Sequence, residues 1–186
     1  MDDDAAGMLA ALIEGKGEGR YGLSGINQRE HALQAAWLAE RSGCDAALIV
    51  AALLHDIGHM VHDLGDNPAA EGIDDQHEQI GYDFLRHYFD PAVTEPVRLH
   101  VAAKRYLCAV EPDYSGRLSA DSVLSLSLQG GPMDERELAA FVALPYAPEA
   151  VQLRRFDEMA KVKGLATPAV MHFLPYLREY LTGGDQ

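Results

Sequence analysis

Apolar residues recur at helical spacing along most of the chain, and this period predicts α-helices. Asn27, followed three residues later by Glu30, is typical of a capping box and predicts a helix that runs to about Arg41. Asp45 begins a second helix, which carries the apolar run Ala46–Leu54. Signals for strands are scarce, so the pattern predicts an all-α fold.

Turn-forming residues separate these two helices from the rest of the chain. The segment 65–76 is rich in Gly, Asp, Asn and Pro and predicts a loop. The pair Thr167-Pro168 predicts the start of a final helix. The acidic start, MDDD, is most simply a disordered tail. The helices predicted after the loop cover 77–89, 91–108, 119–127, 134–142, 148–162 and 168–182.

Length and composition indicate one domain, or a core with a decorated loop. The chain has 186 residues, and 48% of them are apolar, which is ample for a core. Its longest apolar run, Ala46–Leu54, is too short to span a bilayer. Because the N-terminus also lacks the basic start and apolar region of a signal peptide, we expect a cytoplasmic protein.

The charge balance restricts the class of partner. With 15 basic and 29 acidic residues the net charge is −14, so the overall field repels nucleic acid and anionic membranes. Neither is expected to be a partner. A small anion can bind only where local cations and metal ions overcome this field.

The densest group of metal-ligand side chains is LLHDIGHMVHD, residues 53–63, directly after the apolar run. Burying such groups without partners costs several kcal/mol, so something must compensate them. His31 and His100 also have apolar neighbours, where a neutral imidazole needs partners for both ring nitrogens. The candidate ligands are His31, His55, Asp56, His77, His100 and Asp157.

A lone histidine on a helix is more often a satisfied core or surface residue than a ligand, but the whole set favours metal binding. Four imidazoles and two carboxylates without cysteine suit iron, manganese, zinc or nickel. They exceed what one ion needs if it keeps a position open. Two ions bridged by the Asp56 carboxylate is the economical interpretation, with metal identity and oligomeric state left open.

The order H…HD…H…H…D over about residues 27–160 resembles the HD-domain superfamily. The HD dipeptide alone is weak evidence for this family, because it occurs by chance in many chains. The whole ordered set of ligands is strong evidence for the fold and for metal binding. The resemblance implies a helical bundle in which the His-Asp pair anchors one or two metals. It also implies a single HD domain over 1–186, with a core at about 27–160, a loop at 18–27 before it and a C-terminal helix at 168–182.

Most of that superfamily are phosphohydrolases, but a minority are diiron oxygenases, including the 1-hydroxyphosphonate dioxygenases. Three stretches resemble these dioxygenases: YGLSGINQREHALQAA (21–36), HVAAKRYL (100–107) and LSADSVLSLSLQGGPM (118–133). In the first, Tyr21 matches a tyrosine that can occupy an iron position until substrate arrives. In the second, Lys104 stands one turn after His100, on the same helical face.

The resemblance implies a mixed-valent Fe(II)/Fe(III) pair held by the six candidate ligands, with O2 as co-substrate. The implied reaction cleaves a carbon–phosphorus bond and releases phosphate and a carboxylic acid. From the residues alone, Lys104 is expected to point into the site, because it stands one turn from a candidate ligand, whereas Arg154 could also be a surface side chain. The implied substrate contacts are His59, Lys104, Ser122, Arg154 and Ser24, with Tyr21 as the gate. These cations and the metals would let a small anionic phosphonate bind despite the acidic envelope.

One position departs from the family pattern. Enzymes that act on 2-amino-1-hydroxyethylphosphonate carry a glutamate three residues after the gating tyrosine, where this chain has Ser24. That glutamate is the partner of the substrate ammonium, and an uncharged serine cannot replace it. The departure favours hydroxymethylphosphonate or another small 1-hydroxyalkylphosphonate. The alternative is that a carboxylate elsewhere, such as Glu30 or one in the 65–76 loop, replaces that partner and that an amino or N-methylated substrate is used.

Two other function classes compete with the oxygenase. A metal-dependent phosphohydrolase could use the same ligands to generate a bridging hydroxide. A non-catalytic, metal-stabilised module is disfavoured, because so many ligands beside Lys104 imply open coordination positions. Among the other histidines, His62 and His87 are expected to be solvated surface residues.

Overall fold

The computed structural model describes residues 2–18, 20–21, 25–62 and 71–181. These residues are predominantly helical, which confirms the predicted all-α fold. The α-helices are α1 Asp2–Lys16, α2 Gln28–Arg41, α3 Ala46–Leu54, α4 Gly58–Val61, α5 His77–Leu85, α6 Pro91–Val110, α7 Ala120–Leu128, α8 Glu135–Val142, α9 Ala147–Met159 and α10 Val170–Tyr180. A 3-10 turn over Ser115–Arg117 lies between α6 and α7.

A short antiparallel ladder lies within the loop predicted over 18–27. Strand β1, Arg20–Tyr21, pairs with β2, Ile26–Asn27, so that Tyr21 is opposite Ile26. The ladder brings the backbone of Tyr21 close to the start of α2. The side chain of Tyr21 and the whole of Ser24 lie outside the described residues, so both roles stay predictions.

Side-chain caps explain where several helices begin. Asn27 Oδ1 accepts the backbone N–H of Glu30 at 2.8 Å, and Glu30 accepts the backbone N–H of Asn27 at 2.9 Å, which confirms the predicted capping box. Asp45 caps α3 by accepting the N–H of Leu48, and Asp90 caps α6. Each cap contributes about 1 kcal/mol. Together they fix the starts of helices that carry or precede the candidate ligands.

The N-terminus departs from the prediction of a disordered tail, because α1 begins at Asp2. Leu9 and Ile13 are fully buried, together with the small residues Ala6 and Ala10. These positions recur at helical spacing and pack α1 against α10. The acidic first residues suggested a disordered tail, but the apolar stripe of α1 begins directly after them in the sequence.

The C-terminal helix begins later than predicted, at Val170 instead of residue 168. Thr167 and Pro168 precede it without capping it, and Ala169 is the N-cap residue. The buried side chains of α10 start at Val170 and recur at helical spacing as far as Leu177. The buried stripe of α10 therefore begins at the residue where the helix begins.

Helix α3 lies at the centre of the core. Every residue from Ala47 to Leu54 is buried, and α2, α6, α9 and α10 pack around this helix. A helix that is apolar on all sides requires such surroundings. Because α3 ends at Leu54, the His55-Asp56 pair emerges directly from the core. No helix within the described ranges is long and apolar enough to cross a membrane.

Candidate metal centre

The predicted ligands converge from separate parts of the fold. His31 lies on α2, His77 begins α5, His100 lies in α6 and Asp157 lies in α9. The remaining pair, His55-Asp56, follows α3. All six are buried, and the donor atoms form two groups in which every atom lies within 4.8 Å of the others.

The first group, called cluster one, consists of His31, His55 and Asp157. The Nε2 atoms of His31 and His55 are 3.0 Å apart. Asp157 Oδ1 lies 3.3 Å from His31 Nε2 and 3.9 Å from His55 Nε2. Two imidazoles and a carboxylate around one point are a common donor set for a divalent metal.

The second group, called cluster two, consists of Asp56, His77 and His100. The Nε2 atoms of His77 and His100 are 3.2 Å apart, and Asp56 Oδ1 lies 3.5 Å and 3.6 Å from them. The same carboxylate also reaches cluster one, with Oδ2 at 3.5 Å from His31 Nε2 and Oδ1 at 3.5 Å from His55 Nε2. Asp56 therefore lies between the clusters, where a bridging ligand would lie.

Hydrogen bonds at Nδ1, on the side of each ring away from the clusters, fix the orientation of the imidazoles. Nδ1 of His31, His55 and His100 donates to the backbone carbonyls of Ala160, Ala52 and Val97 at 2.7–2.9 Å. A carbonyl accepts only, so Nδ1 carries a proton in each ring, and Nε2 is the nitrogen that faces the cluster.

This donor set fits metal ions. In cluster one the two Nε2 atoms lie 3.0 Å apart beside a carboxylate, an arrangement that a shared cation stabilises. Burial lowers the pKa of His55, and burial with the neighbouring His77 lowers that of His100 further. Burial alone would raise the pKa of Asp56, but the imidazoles, His55 above all, hold it well below its ordinary range.

Cluster two also attracts positive charge. Burial opposes protonation of His77, but its hydrogen bond to Asp75 and the charge of Asp56 raise its pKa to about 9. A metal ion at this position would take the place of that proton. Metal binding would therefore release the proton, and the metal affinity would increase as pH rises.

The predicted substrate contact His59 lies beside cluster two. Its ring stacks on His77 with centroids 4.1 Å apart, and its Nδ1 lies 2.8 Å from Asp75 Oδ2. His62 Nε2 lies 3.3 Å from the same oxygen, and its side chain is only 6% exposed. The prediction that His62 is a solvated surface residue is therefore wrong, because the short α4 turns it back onto Asp75.

Lys104 is buried, one turn beyond His100 on α6. Its Nζ donates to Ser125 Oγ at 2.8 Å. Burial, and then the charge of Arg154, lower the pKa of Lys104 to about 7. Lys104 is therefore not a surface side chain. An incoming anion would favour the charged form of its ammonium.

Arg154 is also buried, whereas Arg155 points outward and pairs with Glu111. The guanidinium of Arg154 donates to Ser122 Oγ at 3.1 Å and also pairs with Asp157 and Glu158. The nearby Lys161 Nζ donates to Ser122 Oγ and to Glu158 Oε2, each at 3.1 Å. We call Ser122, Arg154, Glu158 and Lys161 the Arg154 cluster.

Two cations of the Arg154 cluster, Arg154 and Lys161, pair with Asp157 of cluster one. Burial alone would raise the pKa of Asp157, but the charges of Arg154 and Lys161 keep it well below its ordinary range. Ser122 thus lies between two cations and one turn from Ser125, the partner of Lys104. The described part of the site therefore brings the predicted metal ligands together with His59, Lys104, Ser122 and Arg154.

A family model of the HD domain matches residues 29–143 of the chain. The chain belongs to the HD-domain family. This HD-domain protein is 48% identical over 168 residues to a hydroxymethylphosphonate dioxygenase of Gimesia maris, with 89% of this chain and 82% of the relative covered. It is 40% identical over 170 residues to a glycine-betaine-forming 1-hydroxy-2-(trimethylamino)ethylphosphonate dioxygenase of Leisingera caerulea, with 91% and 87% covered. Membership predicted from the ordered His and Asp residues is confirmed.

Several residues of this HD-domain site were not predicted from the sequence. Asp75 is a carboxylate two residues before His77, and Lys161 stands one turn after Asp157. Lys161 follows Asp157 by four residues within the predicted helix 148–162, so the spacing alone pointed to it, although α9 ends at Met159 and Lys161 lies just beyond it. Ser125 and Glu158 gave no comparable signal, because serine and glutamate on a helix are most often solvated.

Proposed function

We propose that this protein is a diiron oxygenase that uses O2 to cleave the carbon–phosphorus bond of a small 1-hydroxyalkylphosphonate. The observation that carries the proposal is the pair of donor clusters joined by Asp56, in a chain 48% identical to a hydroxymethylphosphonate dioxygenase. For hydroxymethylphosphonate the products would be formate and dihydrogenphosphate. Atoms and charge balance with one O2 and no external reductant.

The proposed cofactor is an Fe(II)/Fe(III) pair. Cluster one would hold one ion and cluster two the other, with Asp56 between them. The absence of thiolates and the mixture of imidazole and carboxylate support iron over softer metals. When bound, the iron pair would supply the activation of O2, which no side chain can provide.

The chain's own residues would bind and orient the substrate. Lys104, Ser122 and Arg154 would hold the phosphonate, and His59 would contact it from the side of cluster two. These groups are buried or half-buried, so they face less competition from water and salt than surface charges do. Such local cations meet the condition that the net charge of −14 imposes on an anionic ligand.

Lys104→Ala is expected to weaken phosphonate binding while leaving the metals in place. An ammonium cannot ligate a cation but forms charge-assisted hydrogen bonds with a phosphonate, on the order of 1.5–3 kcal/mol. The loss corresponds to roughly ten- to a hundredfold in Kd. Calorimetric titration with hydroxymethylphosphonate under anaerobic conditions measures the affinity, and elemental analysis measures the metal content.

The matched control is Lys163→Ala, which removes an exposed lysine beyond α9. It should change neither quantity. If Lys104→Ala instead loses its metals and, once reconstituted, binds the phosphonate as tightly as wild type, then Lys104 is structural and the substrate model is wrong.

Hydroxymethylphosphonate is the proposed substrate within this class. Ser24 cannot supply the charged partner that offsets desolvation of a substrate ammonium, a difference of about 1.5–3 kcal/mol. We expect wild type to favour hydroxymethylphosphonate over (R)-2-amino-1-hydroxyethylphosphonate, and Ser24→Glu to shift the ratio of kcat/KM toward the amino substrate by roughly ten- to a hundredfold. Steady-state O2 consumption with each substrate gives the ratio.

The relative of Leisingera caerulea favours a second candidate, since its name specifies a trimethylamino substrate. The trimethylated phosphonate therefore belongs in the same assay. Preference of wild type for either nitrogen-bearing substrate, or a Ser24→Glu ratio that stays where it was, overturns the choice of hydroxymethylphosphonate. Absence of turnover with all three would overturn the proposed reaction itself.

We also propose that the whole chain forms one HD domain. The larger set of buried apolar side chains runs from Ala6 in α1 to Leu177 in α10, which supports a single domain, and a smaller set lies where α6, α8 and α9 meet. Both terminal helices contribute to it, although they lie outside the residues that the family model matches.

A further inference from the structure

We infer that Asp75 is a positioning residue that holds His77 and His59 in a fixed relation, so that metal binding in cluster two and substrate contact depend on one carboxylate. The inference rests on the proposed function for the role of His59. It concerns a residue that belongs to neither predicted set of contacts. Asp75 lies in the segment before α5, and its side chain is only 9% exposed.

Both oxygens of Asp75 are used. Oδ1 accepts from His77 Nδ1 at 2.9 Å and from the His77 backbone N–H at 3.3 Å. Oδ2 lies 2.8 Å from His59 Nδ1 and 3.3 Å from His62 Nε2. One carboxylate therefore links His77, at the start of α5, to His59 in α4 and to His62 directly after α4.

The contact fixes how each ring presents its second nitrogen. With Nδ1 bound to Asp75, Nε2 of His77 faces Asp56 and His100 in cluster two. By the same logic, Nε2 is the nitrogen through which His59 can reach a substrate. The two rings also stack at 19° between their planes, so displacement of one disturbs the other.

His77 differs from the other three imidazoles in this respect. The Nδ1 atoms of His31, His55 and His100 donate to backbone carbonyls, which are neutral acceptors. A carboxylate behind a metal-binding histidine makes the ring a stronger ligand, and its removal typically costs roughly 10–100-fold in metal affinity or activity. Asp75 therefore makes the two clusters chemically unequal.

Asp75→Asn tests the inference, because it keeps the shape and removes the charge. Anaerobic titration with Fe(II) against a competing chelator should show roughly 10–100-fold weaker binding of one ion, with the other unchanged. Electron paramagnetic resonance of the loaded variant should show an altered response to hydroxymethylphosphonate. Asp74→Asn, which changes an exposed neighbouring carboxylate, is the matched control and should behave as wild type.

A double-mutant cycle separates positioning from general destabilisation. If Asp75 acts through His59, then Asp75→Asn should raise KM in the wild-type background but not in His59→Ala, while its effect on Fe(II) affinity persists in both. Equal effects on KM in both backgrounds, or a lower Tm with both Fe(II) affinities unchanged, overturn the inference. The Fe(II) titration needs no turnover, so a failure of the proposed reaction is seen separately, as inactive wild type.

Discussion

Asp56→Ala is expected to lose metal from both clusters and to lower activity by more than about a hundredfold. The Asp56 carboxylate lies 3.5–3.6 Å from the Nε2 atoms of His31, His55, His77 and His100, so each cluster loses an anionic donor at once. The expected loss exceeds the roughly 10–100-fold that removal of an outer carboxylate costs. Elemental analysis after anaerobic loading with Fe(II) gives the metal content directly.

Two comparison variants make this result specific. Asp83→Ala removes a carboxylate from the exposed face of α5, 57% exposed, and should keep full metal content. His77→Ala removes a donor of cluster two alone, so the protein should retain the ion of cluster one. A fully loaded wild type with one metal per chain, together with unchanged content in His77→Ala, would refute the dinuclear centre.

Gly58→Ala is expected to lower both thermal stability and metal affinity. A Cβ at this position would lie 2.0 Å from the carbonyl oxygen of His77 and 2.7 Å from its carbonyl carbon. Both are backbone atoms, so α4 or the start of α5 must shift, at a cost of about 1–3 kcal/mol. The shift would also separate the stacked rings of His59 and His77.

Thermal unfolding of metal-free protein isolates the packing effect, for which we expect a fall in Tm of roughly 2–12 °C. Fe(II) titration then shows whether cluster two is weakened more than cluster one. Gly7→Ala in α1 is the control, because nothing lies within 4 Å of its added Cβ. A Gly58→Ala protein with the Tm and Fe(II) affinities of wild type would show that the close approach is unimportant.

The local chemistry of the helices was largely predictable. Capping residues such as Asn27 and Asp45 act within one turn, so their signals are contained in the neighbouring sequence. The candidate ligands were predictable for another reason, since His31, His55 and His100 stand among apolar residues that only burial explains. The start of α10 was predicted two residues early, because the pair Thr167-Pro168 is typical of a cap and first turn, whereas Ala169 is the N-cap residue.

Side chains whose role depends on a distant partner could not be predicted from the sequence. Asp75 resembles any other aspartate of an acidic loop until α4 brings His59 and His62 against it. Arg154 was predicted as a substrate contact by resemblance, but its contact with Ser122 depends on how α7 meets α9. Such contacts join residues far apart in the chain, and periodicity contains no information on them.

The two clusters differ in how much of the chain each one needs. Asp56, His77 and His100 all lie in the middle of the sequence, so cluster two is complete once α6 has been synthesised. Cluster one joins His31, near the beginning, to Asp157, near the end, and the hydrogen bond from His31 to Ala160 closes the same long span. During synthesis on the ribosome, the donors of cluster one can therefore come together only after α9 has emerged, and a metal ion bound there would link the first part of the chain to the last.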